Sequence, residues 1–414
     1  MKSDALTEVK IIFRTVAVDL MRHLLIMIRK IHILIVMEIS IMIRPWSKKL
    51  WIFNLDLHTS LIEDLKVGLK DFNVHLVSWS VSGNNRNFRR FYKIPDPVTG
   101  ISGKNWLTIG PSDLTNFREK YHRYLGTFDG FIACFPPAFS QIYTQFNKPI
   151  LVYYGTRYEA PYSAKEIEWG KFNRSLKLGM ESGLTTVVAN NVADIDYFYR
   201  FTGKAATYLP SLCDYTDFKW RSTNNRKIVF ARDQRIITMV NEETHTLWQN
   251  TKQAFGKTYD WGELSQVEEV LVIPYNISTM TLFELATAGI PVSVPSPRFL
   301  EELRLEFDHV LSELSFFEIL GLPTEFLEND NPNRTNLPQV RKWWTDRADF
   351  YNKELMPNVR VIDSFSELSE PHPFVIQGSS TSQELVEERN SRIHASRKKV
   401  LGDFITQMKV NSLQ

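Results

Sequence analysis

The amino-acid sequence predicts an α/β protein with two domains, each built on a parallel sheet. Three observations carry this. Leu50 to Leu57 (LWIFNLDL) is a short apolar run, a helical pattern follows it, and Val74 to Trp79 is a second run of the same kind. The strand–helix–strand unit then recurs along the chain. A polar, turn-rich stretch from Pro210 to Asn225 divides the recurrences into two series. Parallel neighbours need a crossover long enough to hold a helix, so this order implies parallel sheets. Two such series on either side of one linker imply two domains.

Each element has a local reason. The first strand stops at His58-Thr59-Ser60. Leu61, Leu65, Val67, Leu69 and Phe72 then recur among Glu63, Asp64, Lys66 and Lys70, which is helical spacing. Gly130 to Cys134 reads as a strand, Ala138 to Phe146 as a helix, and Pro149 to Tyr154 as a strand. Thr185 to Ala189, Val192 to Thr202 and Ala206 to Leu209 repeat the unit. Past the linker, Lys227 to Ala231 opens the second series, and Val270 to Pro274, Pro291 to Val294 and Val359 to Ile362 continue it. Asn329 to Asn336 is a polar loop, and residues 381–410 form one charged amphipathic helix. The domains expected are residues 50–215 and 226–368, with an extension at 1–49 and a terminal helix at 381–414.

The extension differs from the rest. Residues 1–50 hold nine Lys/Arg against four Asp/Glu, while the remaining chain is net negative. A membrane-spanning helix needs about 20 predominantly apolar residues. Arg22, Arg29, Lys30, Glu38 and Arg44 interrupt every window of that length. Nor does a small-residue cleavage pattern follow an uninterrupted apolar core, so a secretory signal is not expected. Three readings stay open: a buried or docking helix, a basic amphipathic segment at 10–44 lying on an anionic membrane surface, and a loosely held extension.

Composition and motifs exclude several classes. The formal charge of +2 over 414 residues leaves no global nucleic-acid footprint. Cys134 and Cys213 are too few and too far apart for a disulfide framework or a cysteine-based zinc site, which suits a reducing compartment. A cytoplasmic setting is expected, with the cytoplasmic face of a membrane as the variant that the second reading of the extension implies. Phe255-Gly256-Lys257-Thr258 contains a GKT, but Thr251 stands where a phosphate loop needs its first glycine, and no G-x-G-x-x-G occurs. Asp194-Ile195-Asp196 has D-x-D spacing, but in the first turn of a helix such residues do not face one another. There they complement the helix dipole. Asn173, Asn276 and Asn333 open glycosylation sequons by pattern alone.

The richest stretch is Val270 to Ser296 (VLVIPYNISTMTLFELATAGIPVSVPS). A buried strand ends at Pro274-Tyr275, and a polar turn leads into a short helix that Ser278, Thr279 or Thr281 can cap. Backbone N–H groups at such a helix start bind anions. Glu284 lies inside the helix among apolar neighbours and needs a hydrogen bond or solvent. An exposed-face glutamate is the plain alternative.

A strand, a Ser/Thr-rich helix start, a glutamate midway and then Gly289-Ile290-Pro291-Val292 resemble the donor site of GT-B-fold glycosyltransferases. The resemblance implies two Rossmann-like domains facing each other across a cleft, and it covers about Leu50 to Leu368. It implies that the helix start at Ser278, Thr279 and Thr281 faces the diphosphate of a nucleotide-sugar and that Glu284 bonds the ribose. One departure matters: where many retaining members carry a second glutamate, this chain has Asn276. An inverting enzyme instead needs a base near the acceptor, often in the loop after an early strand.

His58 ends the first strand, at the edge where parallel sheets bind ligands, and histidine takes protons near neutral pH. Asp56, two residues back, can share its face and orient it. A packed histidine and a helix-capping aspartate are the alternatives. Arg232 follows the first strand of the second series and can neutralise phosphate. Trp261 can stack on a base or pack. Arg157 and Tyr158, and Ser82 and Asn84, follow other strands and are acceptor-side candidates. The expectation is a glycosyltransferase that moves a sugar from a nucleotide-diphospho-sugar to a hydroxyl-bearing acceptor such as a glycan. It is expected to use no metal or other cofactor, to bind no nucleic acid, and to invert the anomeric centre with His58 as base. The rivals are a nucleotide-sugar epimerase and a non-catalytic sugar-nucleotide or glycan-binding protein.

Overall fold

A computed structural model of the protein describes Met21 and residues 49–81, 101, 103, 105–256, 260–376 and 379–411. Apart from Met21, the basic segment 10–44 lies outside the described residues, as do the candidates Ser82 and Asn84.

Eleven strands form two all-parallel sheets among the described residues. The first holds β1 (Leu50–Asp56), β2 (Val74–Ser80), β3 (Gly130–Ala133), β4 (Ile150–Tyr154), β5 (Thr185–Ala189) and β6 (Thr207–Tyr208), in the order β2-β1-β3-β4-β5-β6. The second holds β7 (Lys227–Phe230), β8 (Trp248–Asn250), β9 (Glu269–Val272), β10 (Val292–Pro295) and β11 (Val359–Ile362), in the order β8-β7-β9-β10-β11. The winding is the same in both. The second strand of each series lies outside the first, and the third returns on the first strand's other side. The strand order therefore reverses between β1 and β3 and again between β7 and β9. In open parallel sheets, ligands bind beyond the carboxyl ends of strands at such reversals. These are the two Rossmann-like units that the sequence predicts.

Helices of eight or more residues are α1 (Thr59–Leu69), α2 (Pro111–Leu125), α3 (Glu166–Glu181), α4 (Val192–Thr202), α5 (Gln234–Thr244), α6 (Met280–Ala288), α7 (Pro297–Glu306), α8 (Pro338–Thr345) and α9 (Ser379–Asn411). The predicted helix at Ala138–Phe146 is instead two 3₁₀ turns, Pro137–Ile142 and Thr144–Phe146. Pro137 to Ser140, Ile142 and Tyr143 are all buried, and Tyr143 stacks on Phe131 of β3. Apolar groups that fill one sheet face in succession cannot share a single stripe of an α-helix.

α9 runs back across the molecule. Its Leu401, Phe404, Ile405 and Met408 join a core cluster with Ile52, Leu61 and Leu65 of the first unit. A Cβ on Gly130 would run into Met408, so glycine in β3 is what lets this helix lie against the sheet.

The stretch expected to be a polar linker, Pro210 to Asn225, is packed at its start. Ser211, Leu212, Cys213, Thr216 and Trp220 are buried. Asp64 of α1 explains this. Its carboxylate accepts from Leu212 N–H at 3.2 Å, Cys213 N–H at 2.8 Å and the Tyr153 hydroxyl at 3.1 Å. Arg397 of α9 pairs with it at 2.8 Å and also donates to the Pro210 carbonyl at 3.0 Å. The linker is held by its backbone, which residue polarity does not reveal.

Candidate functional site

The carboxyl edge of the second sheet is shaped by two short connections. β7 runs into Arg232, and β9 runs through Pro274-Tyr275-Asn276 to Thr279 and α6. Thr279 takes the position before the helix in extended conformation (φ −136°, ψ 141°), and no side chain caps it. The first N–H groups of α6 are therefore not claimed by a capping side chain, as an anion site requires. At the other end Gly289 stops α6 with φ 74°, a left-handed conformation that suits glycine. A cavity of about 320 Å³ opens at this edge, bordered by Arg232, Asn250, Lys252, Tyr275, Thr279 and Thr281. The Arg232 guanidinium lies 3.7 Å from the Tyr275 ring centre and donates to Glu313 Oε1 at 2.5 Å.

The first sheet contributes His58. β1 ends at Asp56, Leu57 donates its N–H to the Phe135 carbonyl at 2.6 Å, and His58 precedes α1 in extended conformation. Its ring edge meets Phe135. A second cavity, of about 260 Å³, is bordered by His58, Phe135 and Thr156 from the first unit and by Asn276, Ser278 and Glu313 from the second. Tyr275 and Thr279 border both cavities, so the two form adjoining compartments. The carboxyl ends at both strand-order reversals thus meet at one place.

Two polar atoms there are buried without a hydrogen-bond partner, His58 Nδ1 and Ser278 Oγ. Burial pushes the His58 pKa below its ordinary value, so the ring is neutral at pH 7. A neutral imidazole with an unclaimed ring nitrogen can accept a proton.

The other candidates fall in different places. Asp56 does not orient His58: its carboxylate accepts from the Asn54 amide at 2.6 Å, and His58 makes no hydrogen bond to it. Glu284 is 6% exposed, accepts from the Tyr215 hydroxyl, and borders neither cavity. Burial raises its pKa to about 7, with the Asp64 charge adding and the Tyr215 bond opposing. Trp261 begins a one-turn helix and packs on the core rather than on the cavity. Tyr158 is a core residue, its hydroxyl donating to Asn173 at 2.7 Å and accepting from Trp169 at 3.2 Å. Arg157 is buried behind the cavity wall, where Nη2 donates to Asn276 Oδ1 at 2.7 Å. Asp194 and Asp196 are held apart, the first by Asn191 and the second by Arg347.

Sequence reasoning missed Lys252 and Glu313. β8 is three residues long, too short to register as a strand whose end would point to Lys252. Glu313 lies in irregular chain and carries no motif. Among the described residues no helix is long and apolar enough to cross a membrane, and no group of three or more metal-ligating side chains occurs.

No protein-family model matches the chain, and no curated protein matches it by sequence. Among solved structures it is similar to the glycotransferase of kitacinnamycin (10% identity, TM-score 0.46, 87% of this chain and all of that one). It is also similar to the spinosyn forosaminyltransferase SpnP (8% identity, TM-score 0.46, 88% of this chain and all of that one). A third is the UDP-GlcNAc 2-epimerase from Neisseria meningitidis bound to UDP-GlcNAc (9% identity, TM-score 0.42, 86% of this chain and 99% of that one).

Proposed function

We propose that the protein is a glycosyltransferase that takes a sugar from a nucleotide-diphospho-sugar and passes it to an acceptor hydroxyl with inversion. One observation carries this: the carboxyl ends at both strand-order reversals meet at adjoining cavities, with neutral His58 on one wall and the uncapped start of α6 on the other. The nucleotide occupies the larger cavity. Its diphosphate lies at the α6 N-terminus, where the helix dipole and Arg232 take up the charge that develops on the leaving group, with no metal required. The sugar extends into the smaller cavity. His58 takes the proton of the acceptor hydroxyl as its oxygen attacks the anomeric carbon from the face opposite the diphosphate. The cleft holds both substrates together, which removes much of the entropic barrier to their meeting.

A thermal-shift screen against nucleoside diphosphates and their sugars tests the donor half. A shift with one diphosphate and with its sugar conjugates is expected, and Thr279→Pro at the helix start should weaken both. Absence of any shift across the panel removes the donor site. Incubation with the donor alone should yield no new sugar isomer, whereas an epimerase would produce one.

A further inference from the structure

Asn276 stands in the turn between β9 and α6 and is 5% exposed. Its Oδ1 accepts from Arg157 Nη2 at 2.7 Å and from the Ile277 N–H at 2.8 Å. Both partners only donate, so the oxygen must face them and the amide nitrogen must point elsewhere. Among the described residues nothing accepts from that nitrogen, and Asn276 borders the smaller cavity. Arg157 arrives from the opposite unit, after β4. It is 1% exposed and fixed by Thr156 Oγ1 at 2.6 Å, by Asp194 at 3.8 Å and by the Trp344 ring, whose centre is 4.7 Å away.

Resting on the transferase reading above, we propose that Arg157 is a positioning residue that turns Asn276 into a donor-only contact for the transferred sugar. The sugar matched to it bears a carbonyl-type oxygen there, in an N-acyl group or a uronate carboxylate. The amide nitrogen offers hydrogens and no lone pair. A sugar hydroxyl meets it with one of its two roles and leaves its own proton to find another acceptor. A carbonyl-type oxygen accepts from it and has no proton of its own to place, in a site where unmatched polar groups are costly. The guanidinium on the amide oxygen draws electron density away from the nitrogen and strengthens its N–H groups as donors. A glutamate in this position would offer the reverse polarity and favour a hydroxyl that donates.

The experiment measures affinity and turnover for the nucleoside diphosphate found in the screen and three of its conjugates: a neutral hexose, an N-acetylhexosamine and a hexuronic acid. The native chain should bind one of the last two about tenfold or more tighter than the hexose, the discrimination a site built for one hydrogen bond can supply. Asn276→Asp keeps an oxygen for Arg157 and presents an oxygen to the sugar. It should hold the diphosphate as well as the native chain does and lose the tenfold preference. Arg157→Lys keeps a donor but not its planar fork, and should raise KM for the preferred donor several-fold while kcat changes little. A native preference for the neutral hexose, or an Asn276→Asp protein with unchanged preferences, overturns the proposal. Failure of the native chain to bind any diphosphate overturns the transferase reading and this inference with it.

Discussion

At the hinge, between α1, the 210–220 stretch and α9, every oxygen of a buried carboxylate is occupied. Asp64 accepts from two backbone N–H groups, the Tyr153 hydroxyl and Arg397. Alongside it Arg389 of α9 donates to the Leu355 carbonyl and Thr287 Oγ1. At the cleft, a short distance along α6, Ser278 Oγ and His58 Nδ1 are as deeply placed and have no partner. A buried group left without a hydrogen bond destabilises a fold by about 1–3 kcal/mol. The hinge commits Asp64 and Arg397 to holding the two units together, although Thr216 Oγ1 and Arg389 Nη2 there are also buried without a partner. The cleft leaves His58 Nδ1 and Ser278 Oγ unclaimed by the fold beside the smaller cavity. Glu284 has the sequence context of the cleft but the surroundings of the hinge.

The contrast is tested first at its strong end. Arg397→Leu leaves Asp64 buried without its cation and should lower unfolding stability by about 3–5 kcal/mol. Urea denaturation measures it, and a loss below about 1 kcal/mol would show that the hinge is as slack as the cleft.

Glu284 comes next. Its folded carboxyl keeps a proton up to about pH 7, while in the unfolded chain it loses the proton near its ordinary value of 4.5. The folded state binds more protons between these values, so stability falls as pH rises through that window and levels off above it. Glu284→Gln cannot ionise and still offers an oxygen to Tyr215. Relative to the native chain it should gain roughly 3 kcal/mol between about pH 4 and about pH 8. Parallel pH–stability curves would place Glu284 in solvent or on the cleft wall instead.

The smallest expected effect lies in the cleft. Ser278→Ala removes a buried oxygen that bonds to nothing in the fold, so stability should not fall and should rise by about 1 kcal/mol, the low end of the cost of an unmet buried group. Donor affinity should fall several-fold over the same substitution. Equal losses in melting temperature and in donor binding would make Ser278 structural and erase the difference between the regions.

Much of this architecture is legible from residue pattern. Every strand expected from an apolar run is present, because a strand buried on both faces needs consecutive apolar residues. β8 escapes because three residues carry no pattern, and α2, α3, α5, α7 and α8 fall in stretches assigned no element. The site is legible where backbone geometry defines it. Gly289, the place where α6 starts and the strand-end position of His58 all follow from local chain direction, whereas the side-chain cap expected from Ser278, Thr279 or Thr281 is absent. It is not legible where long-range partners decide. Tyr215 claims Glu284 from a stretch that looks like linker. Asn276 stands out in sequence only as a missing glutamate. Its role emerges once Arg157, over a hundred residues upstream, is seen to fix its amide.

The central claim, that His58 works as a base on an acceptor held opposite the donor, is tested most directly by measuring turnover and diphosphate affinity together for His58→Ala, with NMR of the native product's anomeric centre. Turnover should fall by about 10²–10⁴-fold, the usual contribution of general-base help, with affinity kept and the configuration inverted. In the native chain the acid limb of the pH–rate profile should lie below the ordinary histidine value, as the lowered His58 pKa requires. A retained configuration, or a His58→Ala protein that turns over at the native rate, would contradict the account.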